Sequence, residues 1–584
     1  MKKYFLLSFL ILLPCLTKAE IRNKEQAQKI ATEFLSGGQT KSVRLDLDMV
    51  WDGSDPVTRS VETSPAFYVF DNLAGPGFVI VSGDDLVRPI IGYSYDNEFD
   101  SENMAPHFIS WMKEIAKQIN YVRSTSTSAS RAASDNGVGQ DVLKHDTALW
   151  NQISPFNNMC PYDGDERSIT GCVATAMAIV MKFHEWPDAG VGCIPSYVTN
   201  SKQISVPSIH LGHSYDWGNM LMSYSRGNET LEEQNAVARL MADCGAAVEM
   251  DYSSIASAAA SENVAVAMVK YMKYDKSMIL KYRGYFSDDE WHEMLRNELR
   301  TNGPVYYSGA AEDSGHAFVI DGYTDGDYYS VNWGWGGTLN GNFLLDALGG
   351  NGGQGYNVLQ DALFNVSKDC GGEPEEFIIM PNGFQTDCDV FEVGEPFGLD
   401  MYWIVNSSSV VYNGRVAVHH IDAKGNIKEE LWTEEVENLA PSEHYGLLSA
   451  EAVINVDIEP GDRLIAVFWN NQKGCWEKLR GYSVLTDIAS IPVVEASSIE
   501  ESISFAFNTQ TREIELISKR RGVHMTITGP SGEVVFDDVT VPRGRYLIQS
   551  SDLAAGRYKI TFSKRDEYDE LYFVIGSKEE DSHE

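Results

Sequence analysis

Four side chains in this sequence have the types and spacing that attack on a carbonyl requires: Cys172, His316, Asn332 and Gln152. Cys172 opens the run Cys172-Val173-Ala174-Thr175-Ala176-Met177-Ala178-Ile179-Val180-Met181-Lys182-Phe183-His184, and neither Pro nor Gly interrupts it from Val173 to Trp186. Such a run predicts a helix, with Ser168 or Thr170 ahead of it as cap. A thiol in the first helical turn meets unpaired N–H groups and the positive end of the helix dipole. Both favour thiolate, the form that attacks a carbonyl. An ordinary free cysteine is simply buried, so a second segment has to decide. Gly315-His316-Ala317-Phe318-Val319-Ile320-Asp321-Gly322-Tyr323 and Tyr328-Tyr329-Ser330-Val331-Asn332 are β-rich, and Thr324-Asp325-Gly326-Asp327 between them is a turn signal. A hairpin folded about residue 324 brings His316 and Asn332 within a residue or two of facing each other. The set then offers a nucleophile, a base and an amide to orient the base. Gln152, upstream in Trp150-Asn151-Gln152, can donate its amide N–H to an oxyanion beside the backbone N–H of Cys172. Trp333 or Trp335, next to Asn332, can stack on His316 and shield its polar bond from water.

Positioning these residues falls to a chain of 584 residues, too long for one core. Residues 20–124 read as a first α+β unit. In it Asn23 caps a helix through Phe34, 66–70 and 77–81 are strands, and 109–122 is an amphipathic helix. Asp84 and Asp85 read as turn residues. Residues 125–140, rich in Ser, Thr and Ala, read as a flexible, protease-accessible linker. A linker there makes the first unit a propeptide. Residues 141–370 form the catalytic unit. Within it, residues 240–252 predict a helix running into Gly245 and then a short strand. The small residues of 253–261 suit the wall of a peptide groove. Residues 286–300 predict a helix capped by Ser287 or Asp288, and the glycines of 349–355 a loop. His184 reads as a helix C-terminal charge, and His210, His213 and His292 as surface or packing residues. Residues 371–490 and 495–580 alternate in short strands between turns and predict two β-sandwich modules.

The net charge of −38 argues against nucleic acid and anionic membrane surfaces as partners. Met1-Lys2-Lys3, the apolar stretch 4–16 and Thr17-Lys18-Ala19 make residues 1–19 a signal peptide. The apolar stretch is shorter than the about 20 residues of a spanning helix. The predicted product is exported, to the cell surface or beyond, with no membrane span. Cys160, Cys172, Cys193, Cys244, Cys370, Cys388 and Cys475 remain after processing, without a CxxC or a zinc-type cluster. No cofactor or metal is expected.

Several runs together resemble the streptopain family of papain-like cysteine peptidases. They are Trp150-Asn151-Gln152 with Pro155-Phe156-Asn157, Thr170-Gly171-Cys172-Val173-Ala174-Thr175-Ala176, Met250-Asp251-Tyr252, Gly315 to Gly322, and Val331-Asn332-Trp333-Gly334-Trp335-Gly336-Gly337. His316 also follows Cys172 at the roughly 130–150 residues of papain-like chains. Residues 77–85 and 91–94 are similar to that family's propeptide. The resemblance implies an α+β, papain-like catalytic domain and a secreted zymogen that cuts its own linker. It implies that the propeptide blocks the site, and that the enzyme is an endopeptidase favouring an apolar residue two before the cut. It carries over Cys172 as nucleophile, His316 as base, Gln152 as oxyanion donor, Asn332 and Trp333 or Trp335 as His-supporting residues, and Ser257 and Gly315 as groove residues. Two other readings stay open. One is a non-catalytic surface protein binding host proteins through its β-modules. The other keeps the Cys–His chemistry in a transferase or cell-wall amidase.

Overall fold

The computed structural model describes residues 21–37, 45–53, 64–102, 104, 106–125, 141–224, 227–310, 315–345, 360–441, 443–481, 490–494, 499–508, 511–520, 522–564 and 567–576. The leader at 1–19, most of the linker and the glycine loop at 349–355 lie outside them. The chain divides into two compact units, one reaching Glu375 and the other beginning at Glu376.

The first unit opens with α1 (Lys24–Gly37). Asn23 caps it, its side chain accepting from the Gln26 N–H while the Gln26 side chain accepts from the Asn23 N–H. Ala27, Ala31, Phe34 and Leu35 fall on one face and are buried. That face covers Tyr68, Phe70, Val79 and Val81 of β2 (Phe67–Asn72) and β3 (Phe78–Ser82). β1 (Leu47–Trp51) pairs with β2 on one side, and β4 (Ile90–Ser94) with β3 on the other. On the opposite face Phe78 meets Phe99, and Phe99 meets Phe108 of α2 (Pro106–Thr125). With both faces covered, β2, β3 and β4 are buried throughout. Asp84 is more than a turn residue. It is buried, accepts from Leu86 N–H at 2.9 Å, and takes the Arg123 Nε–H at 2.8 Å, so it anchors the end of α2.

The rest of this unit contributes β5 (Asp141–Lys144), α3 (Cys172–His184), α4 (Leu231–Ala247), α5 (Glu262–Tyr271), β6 (Ile279–Tyr282), α6 (Asp288–Thr301), β7 (Val305–Ala310), β8 (Gly315–Thr324), β9 (Tyr329–Asn332), β10 (Gly341–Phe343) and β11 (Gln360–Phe364). One sheet of 11 strands runs through both halves, in the order β1-β2-β3-β4-β10-β9-β8-β7-β11-β6, with β5 beside β8. The joint is β4 against β10, with Asn342 opposite Tyr93 and Phe343 opposite Gly92. Gly92 has to be glycine there, because the Phe343 ring occupies the space a Cβ would take. α3 lies on β7 and β8 and is buried from Cys172 to Lys182. α4 starts nine residues before the expected position, at a Thr230–Glu233 capping box, and passes through Gly245. The Tyr252 hydroxyl fills the place of a Cβ at Gly245, so this glycine serves packing and ends nothing. Ser287, not Asp288, caps α6, in a box with Glu290.

In the second unit, strands 396–406 and 444–453 pair in one sheet, and 412–421 lies between 427–439 and 463–470 in another. Ile378, Met401, Val416, Val418, Leu464 and Phe468 share one core between them. Residues 499–576 close a separate core on Ile514, Leu516, Met525, Ile527, Ile560 and Phe562. Strand 523–528 alternates buried and half-buried, as a sheet with one inner face requires. The buried Arg520 bonds Glu392 and Glu567, and Lys564 reaches Glu392 at 3.0 Å.

Candidate active site

Cys172 begins α3 behind Gly171, which sits at φ 82° and makes no side-chain cap. The expected cap from Ser168 or Thr170 does not form. Thr170 instead pairs its hydroxyl with that of Thr175 at 2.8 Å. Gly171 is required by its positive φ and by Met250, whose sulfur would lie 2.6 Å from a Cβ there. Thr170 N–H donates to the Gln152 carbonyl and Ile169 N–H to that of Ser253, both at 3.1 Å. The turn that carries the thiol is thus tied on both sides.

The sulfur meets the backbone N–H of Ala317, the residue after His316 on β8. Cys172 is 9 % exposed. Burial pushes its thiol up, and this outweighs the N–H groups of Ala317, Val173 and Cys172 itself. The helix start therefore does not by itself produce a thiolate, contrary to expectation. Desolvation of the charge wins, so ionisation needs a proton acceptor.

His316, also buried, places Nε2 2.9 Å from the carbonyl oxygen of Trp333. A carbonyl only accepts, so Nε2 carries the proton and Nδ1 is the basic nitrogen of the ring. Trp335 stacks on the imidazole at 4.8 Å and 27°, and Trp333 lies at 6.1 Å. Asn332 does not take the expected place against His316. β9 pairs it with Val319, three residues further along β8. Its amide donates to Thr147 Oγ1 at 3.1 Å and to the Ala148 carbonyl at 3.0 Å, and its Oδ1 accepts from Gly334 N–H at 3.1 Å. Asn332 thereby shapes the turn whose Trp333 carbonyl holds the ring. Thr147 in turn donates to Asp321 at 2.6 Å. Burial raises the Asp321 carboxyl, against bonds from Ser330 and Thr147. Sequence reasoning left Thr147, Asp321 and the Trp333 carbonyl unassigned. Asp321 stood inside the histidine run, whereas nothing in the spacing marks Thr147.

Gln152 is mostly buried, and its side-chain amide makes no hydrogen bond to the described residues, so it remains available as a donor. Its segment is joined to the tryptophan loop, since Gly336 N–H donates to the Trp150 carbonyl at 2.8 Å. Ser257 does not offer its hydroxyl to a groove. The hydroxyl donates to the Ile169 carbonyl at 2.8 Å and accepts from Ser253 N–H at 3.0 Å, holding its loop to the turn before Cys172. Gly315 is exposed at the start of β8, opposite Ala310.

The remaining histidines separate. His184 is not a helix-end charge: burial, then Lys368 and His145, pushes it down to about 4. His213 bonds the buried Asp243 at 2.7 Å, and His292 the Tyr329 hydroxyl at 2.7 Å. His210 is exposed. The seven cysteines expected after processing are all free, and no metal-binding cluster occurs among the described residues. No helix among them is long and apolar enough to cross a membrane.

α2 reaches this site from the N-terminal region. Trp111 lies 5.5 Å from Trp333 and Phe108 5.7 Å, ring to ring, and both also meet Phe343. Away from the site, Arg88 in the loop before β4 pairs with Asp327 of the turn between β8 and β9 at 3.0 Å.

Comparison with known proteins gives two family matches: the peptidase C10 family over residues 150–343 and the Spi protease inhibitor family over residues 19–119. The chain is 33 % identical over 373 residues to streptopain of Streptococcus pyogenes serotype M1, covering 59 % of this chain and 92 % of that one. It is 30 % identical over 391 residues to the thiol protease/hemagglutinin PrtT of Porphyromonas gingivalis, covering 62 % of this chain and 44 % of that one. Among solved structures, a Prevotella intermedia prointerpain A fragment is 30 % identical with a TM-score of 0.45, covering 57 % of this chain and all of its own. Active interpain A is 34 % identical with a TM-score of 0.35, over 39 % of this chain and 95 % of its own.

Proposed function

The chain belongs to the streptopain, or peptidase C10, family and is a cysteine-type peptidase, and from that premise we propose that it is a secreted endopeptidase made as a self-processing zymogen. Cys172 is the nucleophile and His316 the base. Nδ1 takes the thiol proton, and the sulfur adds to the scissile carbonyl. The oxyanion is held by the Gln152 amide and the Cys172 N–H. Imidazolium then protonates the leaving amine, the acyl group stays on sulfur as a thioester, and water activated by Nδ1 releases it. Asn332 and Trp333 act on His316 through the Trp333 carbonyl, and Trp335 excludes water from that bond.

Residues 20–124 serve as the propeptide. The inhibitor-family match over residues 19–119 and the contact of Trp111 with Trp333 support that reading. The linker at 125–140 takes the cut, the leader at 1–19 directs export, and the product is extracellular or surface-held. The two C-terminal modules, 371–490 and 495–580, are accessory. The substrate is protein, with an apolar residue favoured two before the cut, as the resemblance implies.

One observation carries the proposal: the Cys172 sulfur rests on the N–H next to His316, while that histidine spends Nε2 on a backbone carbonyl. Purified Cys172→Ala precursor is expected to stay full length while the parent shortens near residues 124–145. A variant that matures normally without added protease overturns it.

A further inference from the structure

The stretch 141–148, which follows the linker, is strapped across the hairpin that carries His316. β5 pairs with the far end of β8, Lys144 opposite Gly322 and Leu143 opposite Tyr323. His145 comes next. Its N–H donates to the Asp321 carbonyl at 2.7 Å, and its Nε2 to the Leu299 carbonyl of α6 at 2.8 Å. Thr147 then bonds both strands of the hairpin, donating to the Asp321 carboxyl of β8 and accepting from the Asn332 amide of β9. The Ala148 carbonyl takes the same amide at 3.0 Å. Thr147, Asp321 and Asn332 are all buried. The strap leads directly into the Trp150-Asn151-Gln152 segment.

Gly322 shows that β8 makes room for this strap. A Cβ there would lie 2.4 Å from the Leu143 carbonyl oxygen and 2.9 Å from the Lys144 Cα. The glycine admits another stretch of backbone, one of the uses of glycine inside a strand. That contact is remote from the chemistry, since His316 lies six residues back, about 20 Å along a strand. The connection runs through Asn332. Without Thr147 and Ala148 its amide has nothing to hold it, and its Oδ1 no longer fixes the Gly334 N–H. The Trp333 carbonyl that holds His316 Nε2 belongs to the same turn. A shift of about 1 Å in a reacting group costs about a hundredfold in rate.

We propose that the strap 141–148 is a positioning element of the active site, in which Thr147, backed by Asp321, sets His316 through Asn332 and the Trp333 carbonyl, and that the maturing cut must leave Thr147 on the enzyme. The proposal rests on the peptidase reading. It bounds the cutting region on one side. A cut within 125–140 leaves the strap whole. A cut inside β5 removes strand pairs but keeps the hydroxyl. A cut beyond Thr147 discards it, while Cys172, His316 and Gln152 all stay in the chain. An enzyme trimmed that far keeps its reacting groups and loses their alignment.

The test uses the full chain after processing, with a trace of mature parent added to variants that do not cut themselves. On one fluorogenic peptide, kcat is counted per Cys172 thiol that a peptidyl epoxide labels, so unfolded enzyme does not enter. Thr147→Val and Gly322→Ala are each expected to lower that kcat about tenfold or more with KM unchanged, since neither residue touches substrate. The alkaline limb of kcat/KM is expected to move down by about one pH unit. An imidazolium that loses its carbonyl acceptor gives up its proton sooner. Thr147→Ser is expected to return most of the lost kcat. N-terminal sequencing of the active parent is expected to find a first residue at or before Thr147. Either variant, folded, with the parent's kcat per thiol overturns the proposal and leaves the peptidase standing. So does an active parent whose first residue lies beyond Thr147, an observation that needs no variant to fold. A parent that cleaves nothing overturns the peptidase reading and the proposal with it.

Discussion

His316 is held by a main-chain oxygen, and so the side chains around it act at one remove. Thr147 is the hinge of that arrangement, giving its proton to Asp321 and taking one from Asn332. Thr147→Val leaves a buried carboxyl and a buried amide each short of a partner. A loss of about 1–3 kcal/mol of stability is expected in chemical denaturation, and Thr147→Ser is expected to restore most of it. His184 gives a pH prediction. Its folded-state pKa of about 4 lies below the 6.5 of an unfolded histidine. The unfolded chain therefore gains a proton on acidification before the folded one does. Stability is full above 6.5 and falls as pH drops toward 4, by up to about 3 kcal/mol. His184→Gln is expected to flatten the dependence of unfolding free energy on pH in that window.

α2 shows what a single element contributes. Its Trp111 packs on Trp333, two residues from the indole that stacks on His316. Trp111→Ala in the unprocessed chain is expected to raise the rate at which iodoacetamide labels Cys172, read by mass spectrometry against the parent. An unchanged rate separates α2 from protection of the thiol. The helices were the legible elements. Apolar spacing marked α1, α2 and α3, and Ser287 marked the start of α6. The failures have common physical causes. Gly245 read as an end because a missing side chain looks alike whether it frees the backbone or makes room for Tyr252. Asn332 read as the partner of His316 because the turn signal at 324–327 does not say where the hairpin folds: Tyr323 faces Tyr329, which centres the turn on residue 326 and not 324, and the β-bulge between Ile320 and Gly322 recovers only one residue of that offset. The thiol's burial, and with it the upward push on Cys172, depends on strands more than 100 residues away.

At the scale of the molecule, the C-terminal modules share a buried ionic tie. Arg520 is held by Glu392 and Glu567, and Lys564 also reaches Glu392. Burial would raise the Glu392 carboxyl, but its bonds to Arg520 and Lys564 bring it below the usual glutamate value. Glu392→Gln removes the charge that two buried cations share. A loss of about 3 kcal/mol is expected in the unfolding of that unit, measured by tryptophan fluorescence in urea.

The pairing of β4 with β10 has a consequence for the life of the enzyme. While the precursor is whole, Asn342 and Phe343 have a neighbouring strand. Excision in the proposed maturation turns that seam into a raw rim of backbone donors and acceptors, with an aromatic ring left bare beside it. The severed piece fits this rim better than any stranger does, so cutting the tether does not release it. Activity is therefore expected to lag behind the first cleavage and to track the digestion of the fragment, with the newborn protease clearing its own former half.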